Sequence, residues 1–93
     1  MAIHSFRNKG LEELFVDGRT RRIGREYHSR LILLLDALDG ATGPQDLANA
    51  HGFHALRGDL AGFYAMRVSG NWRLVFRFDA AGHAEEIDFV DYH

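Results

Sequence analysis

A chain of 93 residues with a formal charge of −2 makes one domain, residues 1–93, with room for one modest core. A chain this short buries only about 60–65 % of the surface that its unfolded form exposes. Hydrophobic residues at 46 % and aromatics at 12 % exclude a disordered chain, and the absence of cysteine excludes disulfides and thiolate metal sites. No apolar run approaches the roughly 18 residues of a membrane span, and residues 1–7 do not read as a secretion signal, so a cytoplasmic protein is expected.

Charge is unevenly spread. Residues 1–30 carry seven Arg and Lys against four acids, and residues 31–93 carry four Arg against nine acids. That pattern allows local phosphate contacts but speaks against nonspecific coating of nucleic acid.

In chain order, residues 2–6 are a candidate first strand. Leu11, Leu14 and Phe15 recur at helical spacing, with Gly18 as the stop. The basic connector Arg19-Thr20-Arg21-Arg22 follows. Tyr27, Leu31, Leu34, Leu35 and Leu38 then form one apolar stripe, predicting a helix that ends at Gly40. Gly43-Pro44 breaks the chain, and residues 45–50 are expected to form a short helical turn.

From residue 53 the period changes. Residues 53–56 and 63–68 read as extended, with Ser69-Gly70 as a two-residue turn. Trp72, Leu74, Phe76 and Phe78 alternate with Arg73 and Arg77, which predicts a half-buried strand with the arginines opposite the aromatics. A last strand is expected over residues 84–90. Helices followed by a meander of strands indicate an α+β fold.

Four segments resemble the HigB-like toxins, or plasmid-maintenance killer proteins, of the RelE/ParE superfamily. They are Ser5-Phe6-Arg7-Asn8-Lys9-Gly10-Leu11, His54-Ala55-Leu56-Arg57-Gly58-Asp59, Gly70-Asn71-Trp72-Arg73 with Phe76-Arg77-Phe78, and the closing Asp91-Tyr92-His93. All four occur in register along the whole chain. Ala55 stands where the family usually has Pro, and Arg57 where it usually has Lys.

The resemblance implies a small microbial RNase-like α+β domain, with two N-terminal helices packed on a twisted, antiparallel-rich sheet of four to five strands. It implies a type II toxin–antitoxin toxin that cleaves messenger RNA in the A site of the 70S ribosome. The implied partner is a HigA-like helix-turn-helix antitoxin, with DNA reached only through that antitoxin. A gyrase inhibitor like ParE, or a non-catalytic antitoxin-binding protein, is the alternative.

Metal-free RNA cleavage needs a base for the 2′-hydroxyl, cations for the phosphate and an acid for the leaving 5′-oxygen. The candidates are His54, Asp91, Tyr92 and His93, with Arg57 and Arg73 on the phosphate and no metal or cofactor. Histidine suits either proton role because its reference pKa is about 6.5, and which histidine is the base stays open. Tyr92 suits stacking on a base better than proton transfer. Arg73 has a second reading, a cross-strand ion pair with Glu85, Glu86 or Asp88. In a regular strand Asp91 and His93 share a face with Ile87 and Phe89, so Tyr92 joins them only if the strand ends near Val90. His51 and His54 have metal-pair spacing without an evident third ligand. His4, His28 and His83 are expected at the surface, and Trp72 in the core.

Overall fold

The computed structural model describes residues 3–92. Helix α1 spans Lys9–Asp17. Asn8 starts it in an extended conformation, its Oδ1 accepting the Leu11 N–H at 3.2 Å, a cap worth about 1 kcal/mol. Gly18 ends it at φ +78°, where a side chain would strain the backbone, and its N–H donates to the Leu14 carbonyl.

The connector that follows is tied back onto α1. Thr20 Oγ1 and Arg22 Nε donate to the Glu13 carboxylate at 2.7 and 3.2 Å. Those bonds, Thr20 first, hold the Glu13 carboxyl below its ordinary range. A 3-10 turn, Arg25–Tyr27, leads into helix α2, His28–Gly40. The periodicity takes Tyr27 into the helix, whereas the structure leaves it in this turn.

The predicted stripe is the buried face of α2: Leu31, Leu34, Leu35 and Leu38 are fully enclosed. Each such leucine contributes roughly 1.5–3 kcal/mol through burial. The expected helical turn at 45–50 is a shorter 3-10 turn, Pro44–Asp46, and Asn49 at φ +66° takes the chain out of the right-handed helical region before residue 50.

Four strands follow: β1 His54–Ala55, β2 Tyr64–Ser69, β3 Trp72–Phe78 and β4 Ala84–Asp91. They form one antiparallel meander in the order β1-β2-β3-β4. The helices cover one face of it, where Met66, Leu74, Phe76 and Ile87 pack with the α2 leucines. Trp72 joins this layer, its ring 4.4 Å from that of Phe89 and nearly parallel to it.

Three expectations change. The described part of the first segment is not a strand but two parallel bridges, Ile3 to Ala84 and Phe6 to Ile87, along the free edge of β4. Ala2 lies outside the described residues. The β2–β3 turn is Gly70-Asn71, one residue later than expected, because the register shifts between Arg67 and Ser69 and pairs Ser69 with Trp72. Finally, β4 carries an irregularity at Glu86 (φ +56°), where pairing jumps from Arg77–Glu85 to Val75–Asp88. That extra residue puts both Ala84 and Ile87 on the helix side.

Candidate active site

The face of the sheet away from the helices carries two adjacent cross-strand rows. His54 pairs with Ala65, Ala65 with Val75, and Val75 with Asp88. Two residues along β2, Arg67 pairs with Arg73, and Arg73 with Val90. Paired residues share a face and the next row lies about 7 Å along, so His54, Arg67 and Arg73 face the same solvent.

The loop into His54 is unusual. Asn49, His51 and Gly52 all have positive φ, at +66°, +55° and +68°. For the two non-glycine residues this costs roughly 1–3 kcal/mol each. The His51 carbonyl accepts the Arg67 N–H at 2.9 Å. At Gly52 a Cβ would lie 3.2 Å from that of Arg67, so the backbone crosses where a side chain would crowd. His54 is exposed, and its Nδ1 stands 3.0 Å from the Gly52 carbonyl oxygen. A carbonyl only accepts, so this bond places the hydrogen on Nδ1 and leaves the Nε2 lone pair of the neutral ring facing outward.

Arg73 does not make the cross-strand ion pair. Its Nη1 donates to the Gly70 and Trp72 carbonyls at 2.7 and 3.0 Å. The pair with Glu85 belongs to Arg77, at 2.7 Å. The register explains the exchange: the residues opposite Arg73 are Arg67 and Val90, whereas Arg77 stands opposite Glu85.

Arg67 was missed by the sequence reading. It is exposed, and its carbonyl accepts two bonds from Arg30 of α2, at 3.0 and 3.2 Å. The alternation of Tyr64, Met66 and Val68 against Arg67 was the available signal. Arg57 is exposed in the β1–β2 loop, just before the 3-10 turn Gly58–Leu60.

The closing residues divide. Asp91 pairs with Trp72, on the helix side of the sheet. The Tyr92 N–H donates to the Asn71 carbonyl at 2.8 Å, so pairing continues past Asp91. That bond holds Tyr92 beside Asn71 of the β2–β3 turn, one residue beyond the end of β4. His93 lies outside the described residues. The other histidines also have assigned places. His28 is half-buried, with Nε2 2.9 Å from the Ile23 carbonyl oxygen, rather than at the surface. His51 and His54 belong to no three-ligand cluster among the described residues.

The arrangement offers one proton-transfer group and two facing cations on one surface of the sheet, a set suited to a phosphodiester. A model of the HigB-like toxin family, described as RelE-like toxin of type II toxin-antitoxin system HigB, matches residues 4–93. The chain belongs to the HigB-like toxin family.

Within the family, the chain is 36 % identical over 92 residues to Endoribonuclease HigB of Proteus vulgaris, covering 98 % of this chain and 99 % of that one. It is 33 % identical over 76 residues to Toxin HigB-1 of Vibrio cholerae serotype O1, covering 78 % and 80 %. The sheet and helices superpose on a chain of the YoeB-YefM complex from Staphylococcus aureus with a TM-score of 0.64 at 21 % identity, over 98 % of this chain and 97 % of that one, a likeness of fold. Membership makes this HigB-like chain the toxin component of a type II toxin–antitoxin system, with an antitoxin as its partner, and an endoribonuclease. No helix among the described residues is long and apolar enough to cross a membrane.

Proposed function

We propose that this HigB-like toxin acts as a single domain over residues 1–93 and cleaves messenger RNA in the A site of the 70S ribosome, without a metal, in the cytoplasm. Its partner in this reading is a HigA-like helix-turn-helix antitoxin, through which alone it meets DNA. The observation that carries the reading is the exposed His54 on the same sheet face as the facing pair Arg67 and Arg73.

His54 takes the 2′-hydroxyl proton on Nε2, and its Nδ1–H···Gly52 bond steadies the ring as it becomes charged. The 2′-oxygen attacks the adjacent phosphorus, and the bond to the 5′-oxygen breaks. His93 returns a proton to that oxygen, leaving a 2′,3′-cyclic phosphate and a 5′-hydroxyl. Arg57, Arg67 and Arg73 stabilise the charge on the phosphate oxygens, Arg73 by exchanging its carbonyl partners for the substrate. Tyr92 stacks on a base beside the scissile bond. Asp91 assists from the end of β4.

The test is to mix purified toxin with ribosomes programmed by a defined message and map the new 5′ ends, beside a ribosome-free control. Cleavage within the A-site codon only when ribosomes are present is expected. Equal cleavage of free message, or none in either arm, overturns the reading.

A further inference from the structure

A second cluster lies at the other end of β3, where the first segment crosses the β3–β4 turn. The His4 N–H donates to the Ala84 carbonyl at 2.7 Å, which fixes its backbone. Its Nδ1 stands 2.9 Å from Asp79 Oδ2 and 3.1 Å from Glu85 Oε1. The three donor atoms all lie within 4.8 Å of one another.

Both carboxylates are held from behind. Asp79 Oδ1 accepts the Ala81 and His83 N–H groups, each at 2.9 Å. Glu85 Oε2 accepts from Arg77 Nε at 2.7 Å. Each acid therefore commits one oxygen to the protein and turns the other toward His4. The Asp79 and Glu85 side chains are only 19 % and 12 % exposed, while that of His4 is 57 % exposed. The cluster is rigid on its inner side and open to water on its outer side.

A single hydrogen on Nδ1 faces two carboxylate oxygens and cannot fully satisfy both. A divalent cation can. Zinc takes imidazole nitrogen and carboxylate oxygen at about 2.0–2.2 Å, and tetrahedral angles then set neighbouring ligands about 3.3 Å apart. The two observed separations from Nδ1 need to open by only a few tenths of an ångström. The nitrogen donor favours zinc, nickel or cobalt over magnesium and calcium.

We propose that His4, Asp79 and Glu85 form a binding site for a zinc-class divalent cation, with water in the fourth position. The ion joins the first segment of the chain to the β3–β4 turn. It binds only the folded arrangement, because His4 is 75 residues from Asp79 in sequence, and so it stabilises the fold. RNA cleavage takes no step through this ion. None of its three ligands is among His54, Arg57, Arg67 and Arg73, and Glu85, opposite Arg77, lies at the other end of β3.

The experiment uses the full chain stripped with chelator and titrated with zinc chloride, magnesium chloride or cobalt chloride. One equivalent of zinc is expected to bind saturably and raise the melting temperature, with no response to magnesium. Cobalt is expected to give the intense visible absorption of a tetrahedral centre. His4→Gln and Asp79→Asn, each tested separately, should lower zinc affinity by at least about tenfold, or 1.4 kcal/mol. His51→Gln should leave the affinity unchanged. Melting curves without metal verify that each variant is folded, and having two variants keeps the test valid if one is not. Absence of saturable zinc binding, or unchanged affinity in whichever of the two ligand variants folds, overturns the site.

Discussion

The Tyr92 N–H donates to the Asn71 carbonyl at 2.8 Å, carrying the β3–β4 ladder one residue past Asp91. That bond separates two neighbouring residues. Asp91 is left on the side of Trp72, and Tyr92 is held beside Asn71 at the end of the β2–β3 turn. If Tyr92 stacks on a base, its ring matters and its hydroxyl does not. Tyr92→Phe is expected to keep near-normal single-turnover cleavage on programmed ribosomes. Tyr92→Ala should lose about 1–3 kcal/mol of stacking, roughly 5- to 150-fold in rate. Equal losses in the two variants would point instead to a role for the hydroxyl.

His54 is exposed, and among the described residues its ring bonds only to the Gly52 carbonyl. His54→Gln should therefore leave the melting curve within about 0.5 kcal/mol of the parent, as exposed substitutions usually do. Loss of a general base should slow cleavage by roughly 10²–10⁴-fold. The two measurements belong together, since a slow but unfolded variant would say nothing about proton transfer.

Arg67 and Arg73 face each other across β2 and β3. Two facing cations repel unless an anion lies between them. Replacing either with Ala is expected to weaken kcat/KM and to flatten its log–log dependence on salt by about 0.7–0.9 per lost phosphate contact. Arg77→Ala should leave that slope alone, because Arg77 is already paired with Glu85. Measuring cleavage across a salt series distinguishes them.

Asp46 provides a pH prediction away from the site. Its Oδ2 accepts the Thr42 N–H and Oγ1–H, each at 2.8 Å. These bonds, the backbone one first, hold its carboxyl below the ordinary range. A lowered folded pKa stabilises the fold fully above the unfolded value, near 3.9, and that stability disappears as pH falls through the folded value. Asp46→Asn is thus expected to melt below the parent at neutral pH, and the two curves should converge as the solution is acidified below about pH 4. A gap that stays constant across the pH series would contradict the assignment.

Local chemistry was legible in the sequence. Gly18 ends α1 as its position after the apolar repeat indicates, because a helix stop acts within a few residues; the Asn8 cap came from the structure. The leucines of α2 and the alternation of β3 announced their buried faces because each period is a property of one element. His54, Arg57 and Arg73 were readable as a residue set, and the family resemblance followed from the same segments.

Other relationships depended on register. Arg73 does not make its expected ion pair because the pairing of β3 with β4 sets it opposite Val90, whereas Arg77 stands opposite Glu85. Arg67 joined the site because β2 and β3 pair Arg67 with Arg73. Asp91 took the side of Trp72 through the pairing of β3 with β4, and the Asn71 bond fixed Tyr92 beside the β2–β3 turn. His4, Asp79 and Glu85 came together from distant parts of the chain. The sequence determined the elements and the chemical groups they carry, since propensity, capping and periodicity are local. The tertiary structure decided which groups share a face, since pairing between strands is a non-local contact that a one-residue shift reverses.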